Sequence, residues 1–165
     1  MRISKHSVIA IGPTTYAATF AAMMAPVLAT AQVVTECDWL GNAANIAEPW
    51  EVNSRSFANG NIRIAALDTG GEPVCCSAHL LVLSPSGDGS SEPIFRQCRV
   101  VSATPGMGFY SVDIPGTTAS YDPALGLLIS VPVGHWHQGM ETGAGPIPDR
   151  MDIRINQANG AVYYE

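Results

Sequence analysis

Only one stretch of the chain carries its apolar residues at helical spacing. Trp39, Ala43 and Ile46 recur every three or four positions, as do Leu40, Ala44 and Ala47, which predicts a helix over 37–50. Asp38 is placed to cap it and Pro49 to stop it, while Gly41, Asn42 and Asn45 weaken it. Beyond Trp50 the apolar runs are short and turn residues separate them. Runs over 53–58 and 61–67 flank Asn59-Gly60, a tight-hairpin dipeptide. In that register Phe57 faces Ile62 and Arg55 faces Ile64.

Residues 74–83 form the longest strand candidate, apolar on both faces beyond Cys76, as a strand in a sheet interior is. The polar loop 84–93 follows. Strands are then predicted over 94–103, 108–114, 117–121, 127–133, 151–156 and 161–164. Thr104-Pro105-Gly106, Pro115-Gly116, Asp122-Pro123-Ala124-Leu125-Gly126, a Gly- and Pro-rich loop over 135–148 and Asn159-Gly160 separate them. Pro132 implies that its strand ends early or lies at an edge. The expectation is an all-β fold: an antiparallel β-sandwich of eight or nine short strands with one short N-terminal helix, a small barrel being the alternative.

Residues 1–31 read as an export signal rather than as part of the fold. Arg2 and Lys5 form a basic start, an apolar core runs over 16–28, and Ala29-Thr30-Ala31 is an A-x-A cleavage site. A retained membrane span would need about 20 continuous apolar residues, and no stable insertion is expected after cleavage. A single domain over 32–165 remains, in the periplasm or secreted. Arg2 and Lys5 leave with the signal and no acid does, so 6 of the 8 basic residues face all 14 acids. All six are arginines. An acidic domain of this kind repels phosphate backbones and anionic membrane surfaces, which excludes nucleic acid as a partner.

Four cysteines in an exported domain imply two disulfides among Cys37, Cys75, Cys76 and Cys98. On a strand Cys75 and Cys76 point to opposite faces. One is therefore expected to bond Cys98 and the other Cys37, with a bond between the two neighbours as the redox-active alternative. The C-x-x-C spacing of a cysteine zinc site is absent.

His135-Trp136-His137 would place two imidazoles on one face of an extended segment, as a metal pair requires. His79 could approach as a third ligand. Met140 and Met151, near in sequence, would suit copper(I), with zinc the other candidate metal. Asp68-Thr69-Gly70 after Ala65-Ala66-Leu67 resembles the active-site tripeptide of aspartic proteases. That chemistry needs two such aspartates sharing a proton, and the chain has one, so a protease would have to be a dimer. No G-x-S-x-G, phosphate loop or dinucleotide fingerprint occurs. Trp50, Phe109, Tyr110, Tyr163 and Tyr164 could form an aromatic surface, although of two adjacent aromatics on a strand one must face the core. The reading reached from sequence is a non-catalytic binding or accessory module for a protein or cell-envelope component. A periplasmic metal-binding protein is the alternative and a hydrolase the third.

Overall fold

Strict alternation organises the interior. Leu127, Ile129, Val131 and Val133 point one way from their strand, and Met151, Ile153 and Ile155 from its neighbour; all seven are buried. Ile62, Ile64, Ala66, Leu80, Val82 and Val101 meet them from a second sheet and share one core with Phe109 and Ile114. A period of two with one apolar face is what a sandwich requires of each strand.

The structure is a computed structural model that describes residues 32–71, 75–87 and 96–165. The expected export segment 1–31 lies outside them, as does much of the loop 84–93. The strands are β1 (Val33–Glu36), β2 (Ser54–Phe57), β3 (Ile62–Asp68), β4 (Ala78–Pro85), β5 (Arg96–Ser102), β6 (Ser111–Val112), β7 (Thr118–Asp122), β8 (Gly126–His135), β9 (Ile147–Ile155) and β10 (Val162–Tyr164). One sheet has the order β1-β5-β4-β3-β2. The other runs β10-β9-β8-β6, with β7 pairing β8 beside β6. Every pairing is antiparallel. The fold is an all-β sandwich of two five-stranded sheets, and the described strands close no barrel.

The first hairpin keeps the expected register, Arg55 opposite Ile64 and Phe57 opposite Ile62. Its connection takes in Ala58 and Asn61 as well, with positive φ at Ala58, Asn59 and Gly60. β4 is the central strand of its sheet, as its two apolar faces required. The tenth strand, β1, is four residues long, too short to show a period of its own.

The helix expected over 37–50 does not form. Two 3₁₀ turns, Trp39–Gly41 and Ala43–Asn45, replace it, and the α-helix is the single turn α1 (Trp50–Asn53) that follows. The carboxylate of Asp38 accepts from the Leu40 N–H and the side chain of Asn42 from the Ala44 N–H, both at 2.9 Å. These local bonds capture amides that a longer helix would need. The segment nevertheless uses its apolar residues. Cys37, Leu40 and Ile46 pack on the outer face of the first sheet against Ala65, Leu67, Leu81 and Val100.

The disulfide pairing differs from the expected one. Cys37 bonds Cys98, and Cys75 bonds its neighbour Cys76. Cys75 and Cys76 precede β4 instead of lying on it, so the opposite-face argument does not hold. Register also keeps them from Cys98. Cys98 sits opposite Leu83, seven residues beyond Cys76, or roughly 20 Å at the rise of a strand.

Pro132 lies within a ten-residue internal strand, not at the end of a short or edge one. Its carbonyl accepts from the Asp113 N–H at 2.9 Å, so its nitrogen, which has no hydrogen, faces the same side. On that side the ladder with β7 ends at Ser130 and the one with β6 begins at Val133. The missing donor falls in the gap between two partners.

Candidate functional site

The residues after β5 cross from one sheet to the other. Phe109 exchanges backbone hydrogen bonds with Ala78 at the start of β4, and the Tyr110 N–H donates to Gly134 O near the end of β8 at 2.9 Å. The Gly108 N–H donates to Cys76 O at 2.8 Å. A Cβ at Gly108 would collide with the carbonyl oxygens of Ala78 and Cys76, so only glycine lets the crossing strand lie this close. This replaces the strand expected over 108–114, of which Ser111–Val112 alone joins a ladder.

The crossing brings three chain segments to one end of the sandwich: the turn before β4, the connection 103–110 and the end of β8. Between them lies a cavity of about 270 Å³. The Cys75–Cys76 disulfide lines it on one side, and Phe109, Met107, Tyr110 and Trp136 are among the other lining residues. Phe109 is buried, whereas Trp136, Met107 and Tyr110 are 39%, 43% and 46% exposed. Buried and exposed aromatics thus alternate at 109 and 110, as they do at the partly buried Tyr164 and the exposed Tyr163.

His135 completes the lining from the end of β8. Its Nε2 lies 3.0 Å from Asp149 Oδ2, and its ring meets Phe109 edge-on with centroids 5.5 Å apart. His137 turns to its own loop, with Nδ1 accepting from the Gly139 N–H and Nε2 2.9 Å from Gly145 O. The two imidazoles are each committed to protein partners. Among the described residues no three His, Cys, Asp or Glu side chains are grouped as a metal ion requires.

His79 sits on the outer face of β4, buried, with Nδ1 2.8 Å from Ser102 Oγ. Its Nε2 has no hydrogen-bond partner and lies behind Gly108. Burial pushes its pKa down, against weaker opposite pulls from Asp38 and Asp68. The neutral ring shares one hydrogen bond with Ser102 through Nδ1 and leaves Nε2 unpaired.

Asp68 ends β3 and accepts from the Gly70 N–H at 3.0 Å and from Ser77 Oγ at 2.8 Å. Its carboxylate thereby links the end of β3 to Ser77, just ahead of β4. A second hollow, of about 470 Å³, is lined by Glu51, Val52, Ser54, Arg55, Ile114 and Pro115. Its cation, Arg55, donates to Thr117 O at 2.5 Å and lies over the Phe57 ring.

Sequence reasoning found Trp136, Tyr110 and the four cysteines but did not bring them together. The adjacent pair Cys75-Cys76 was the available signal. Met107 carried none. No protein family, curated protein or solved structure matches the chain.

Proposed function

We propose that residues 32–165 act, after export, as a non-catalytic binding module whose binding end is the cavity beside Cys75–Cys76, serving a protein or cell-envelope component. The observation that carries this reading is the cavity itself. It is preformed, mostly apolar, walled by a disulfide and rimmed by three large side chains left partly in solvent. Ligand sites are built in this way, from apolar walls on a rigid scaffold with few polar groups. Two disulfides support an oxidising compartment, periplasmic or extracellular. No helix among the described residues is long and apolar enough to cross a membrane.

The catalytic alternative has less to support it. Asp68 is committed to its own turn.

The test is cosedimentation of the purified exported protein with cell envelopes of the producing organism, compared with the double variant Trp136→Ala/Tyr110→Ala. Both side chains stand partly in solvent, so the variant should fold with an unchanged melting temperature. Saturable cosedimentation lost in the variant is the expected result. Cosedimentation that survives the double substitution, or none by the wild type, overturns the reading.

A further inference from the structure

We propose that the cavity between the Cys75–Cys76 disulfide and Trp136 takes one neutral aromatic ring, of the phenol or indole class, presented by the component that the module binds. The proposal rests on the binding-module reading and names the ligand of the same site.

Size sets the first limit. A dry apolar cavity of about 150 Å³ holds benzene. The cavity here, at about 270 Å³, has room for one ring with a fused second ring or a short substituent.

Lining chemistry sets the second. The lining includes Trp136 and Tyr110, which carry rings, Met107, which carries a thioether, and the Cys75–Cys76 disulfide. Aromatic rings pair favourably with other rings and with thioether sulfur. None of the lining residues carries a carboxylate, guanidinium or ammonium group, so a charged ligand would enter without a counter-charge. His135, the one titratable base there, has its Nε2 on Asp149. The other polar side-chain groups that the lining residues carry are the hydroxyls of Thr104 and Tyr110 and the Trp136 indole N–H. A pyranose would bury hydroxyls beyond that supply, and each unpaired one counts against binding.

The disulfide supplies the third argument. A bond between sequence neighbours closes almost no loop, so chain entropy gives it little part in holding the fold. What it does hold is the wall at 75–76, with Cys76 buried and its carbonyl tied to Gly108. A wall fixed before the ligand arrives removes an ordering cost from binding.

The experiment is calorimetric titration of the protein exported from the full chain with phenol and with indole. Cyclohexanol matches phenol in size without the aromatic ring, and a tyrosine-centred tripeptide carries the same ring on a backbone. Saturable binding of phenol or indole, weakened roughly tenfold in Trp136→Ala and in Cys75→Ser/Cys76→Ser, is the expected outcome. Should the double serine variant misfold, Met107→Ala on the exposed rim serves in its place. Equal affinity for cyclohexanol, or no saturable binding of either ring, overturns the aromatic assignment. Binding of the tripeptide together with the free rings assigns the ring to a protein partner, and binding of the free rings without it to a non-protein envelope component. If both rings fail while envelope cosedimentation still depends on Trp136 and Tyr110, the ligand class falls and the binding module stands.

Discussion

Cys37 is bonded to Cys98 across the outer face of the first sheet, joining residues 61 apart in sequence with their Cα atoms 5.4 Å apart. The bond fastens the 3₁₀ turns that cover Leu67, Leu81 and Val100. Gly41 makes room for it, since a Cβ there would stand 2.8 Å from Cys37 Cβ. A closed loop of that length contributes about 4 kcal/mol on the chain-entropy model. Cys37→Ser/Cys98→Ser should therefore lower the melting temperature by on the order of 10 °C. Cys75→Ser/Cys76→Ser should lower it much less, because its loop has no length. Thermal unfolding of the two double variants side by side checks this, and equal losses would contradict it.

The covered outer face makes a separate prediction. Leu81 is buried on the side away from the sandwich core, among Ala65, Leu67 and Val100. In a two-layer sandwich that side would face water, and Leu81→Ala would cost little. With the cover in place it should cost about 2–5 kcal/mol, measured by denaturant unfolding. A loss below about 0.5 kcal/mol, ordinary for a surface site, would mean that the 37–47 segment does not pack where it is described.

Much of this architecture was legible because it depends on period-two patterning and turn chemistry. The register of Arg55 and Phe57, the central position of β4 and the Asp122 turn, whose carboxylate accepts from the Ala124 and Leu125 N–H groups, all follow from local residues. The cavity was not legible. It forms where Gly108 allows a crossing strand to reach Ala78 from one sheet while Tyr110 reaches Gly134 in the other, and no local pattern announces a contact between sheets. The same limit explains the cysteines. Pairing depends on where β4 starts, and a strand boundary is what periodicity locates least well. In the segment after Cys37 the spacing marked Leu40 and Ile46, which pack on the sheet, together with Trp39, Ala43 and Ala44, which stay exposed, because Asp38 and Asn42 drew the backbone into 3₁₀ turns.

The His135-Trp136-His137 segment gives a further expected outcome. His137 has both ring nitrogens in backbone hydrogen bonds, and His135 has its Nε2 on Asp149. A copper or zinc ion would have to break these bonds. Protein purified without a tag and dialysed after incubation with either metal should retain well under one equivalent by elemental analysis. One retained equivalent that disappears in His135→Ala/His137→Ala would establish the metal-binding alternative instead.

The buried imidazole of His79 ties stability to pH. Burial lowers its pKa below the ordinary value of 6.5, so the unfolded chain takes up a proton at a pH where the folded one does not. Stability from this group is fully present above 6.5 and is lost as pH falls from there through the folded pKa. Replacing the ring by a neutral amide in His79→Gln removes that dependence, whatever the substitution itself costs. Denaturant unfolding at pH 7.5 and 5.5 should show the wild type losing more stability on acidification than the variant. The extra loss should approach 1.36 kcal/mol for each pH unit in the window where only the unfolded chain is protonated. Equal losses in the two proteins would show that His79 titrates alike in both states, and hence that it is not enclosed between Ser102 and the Gly108 crossing.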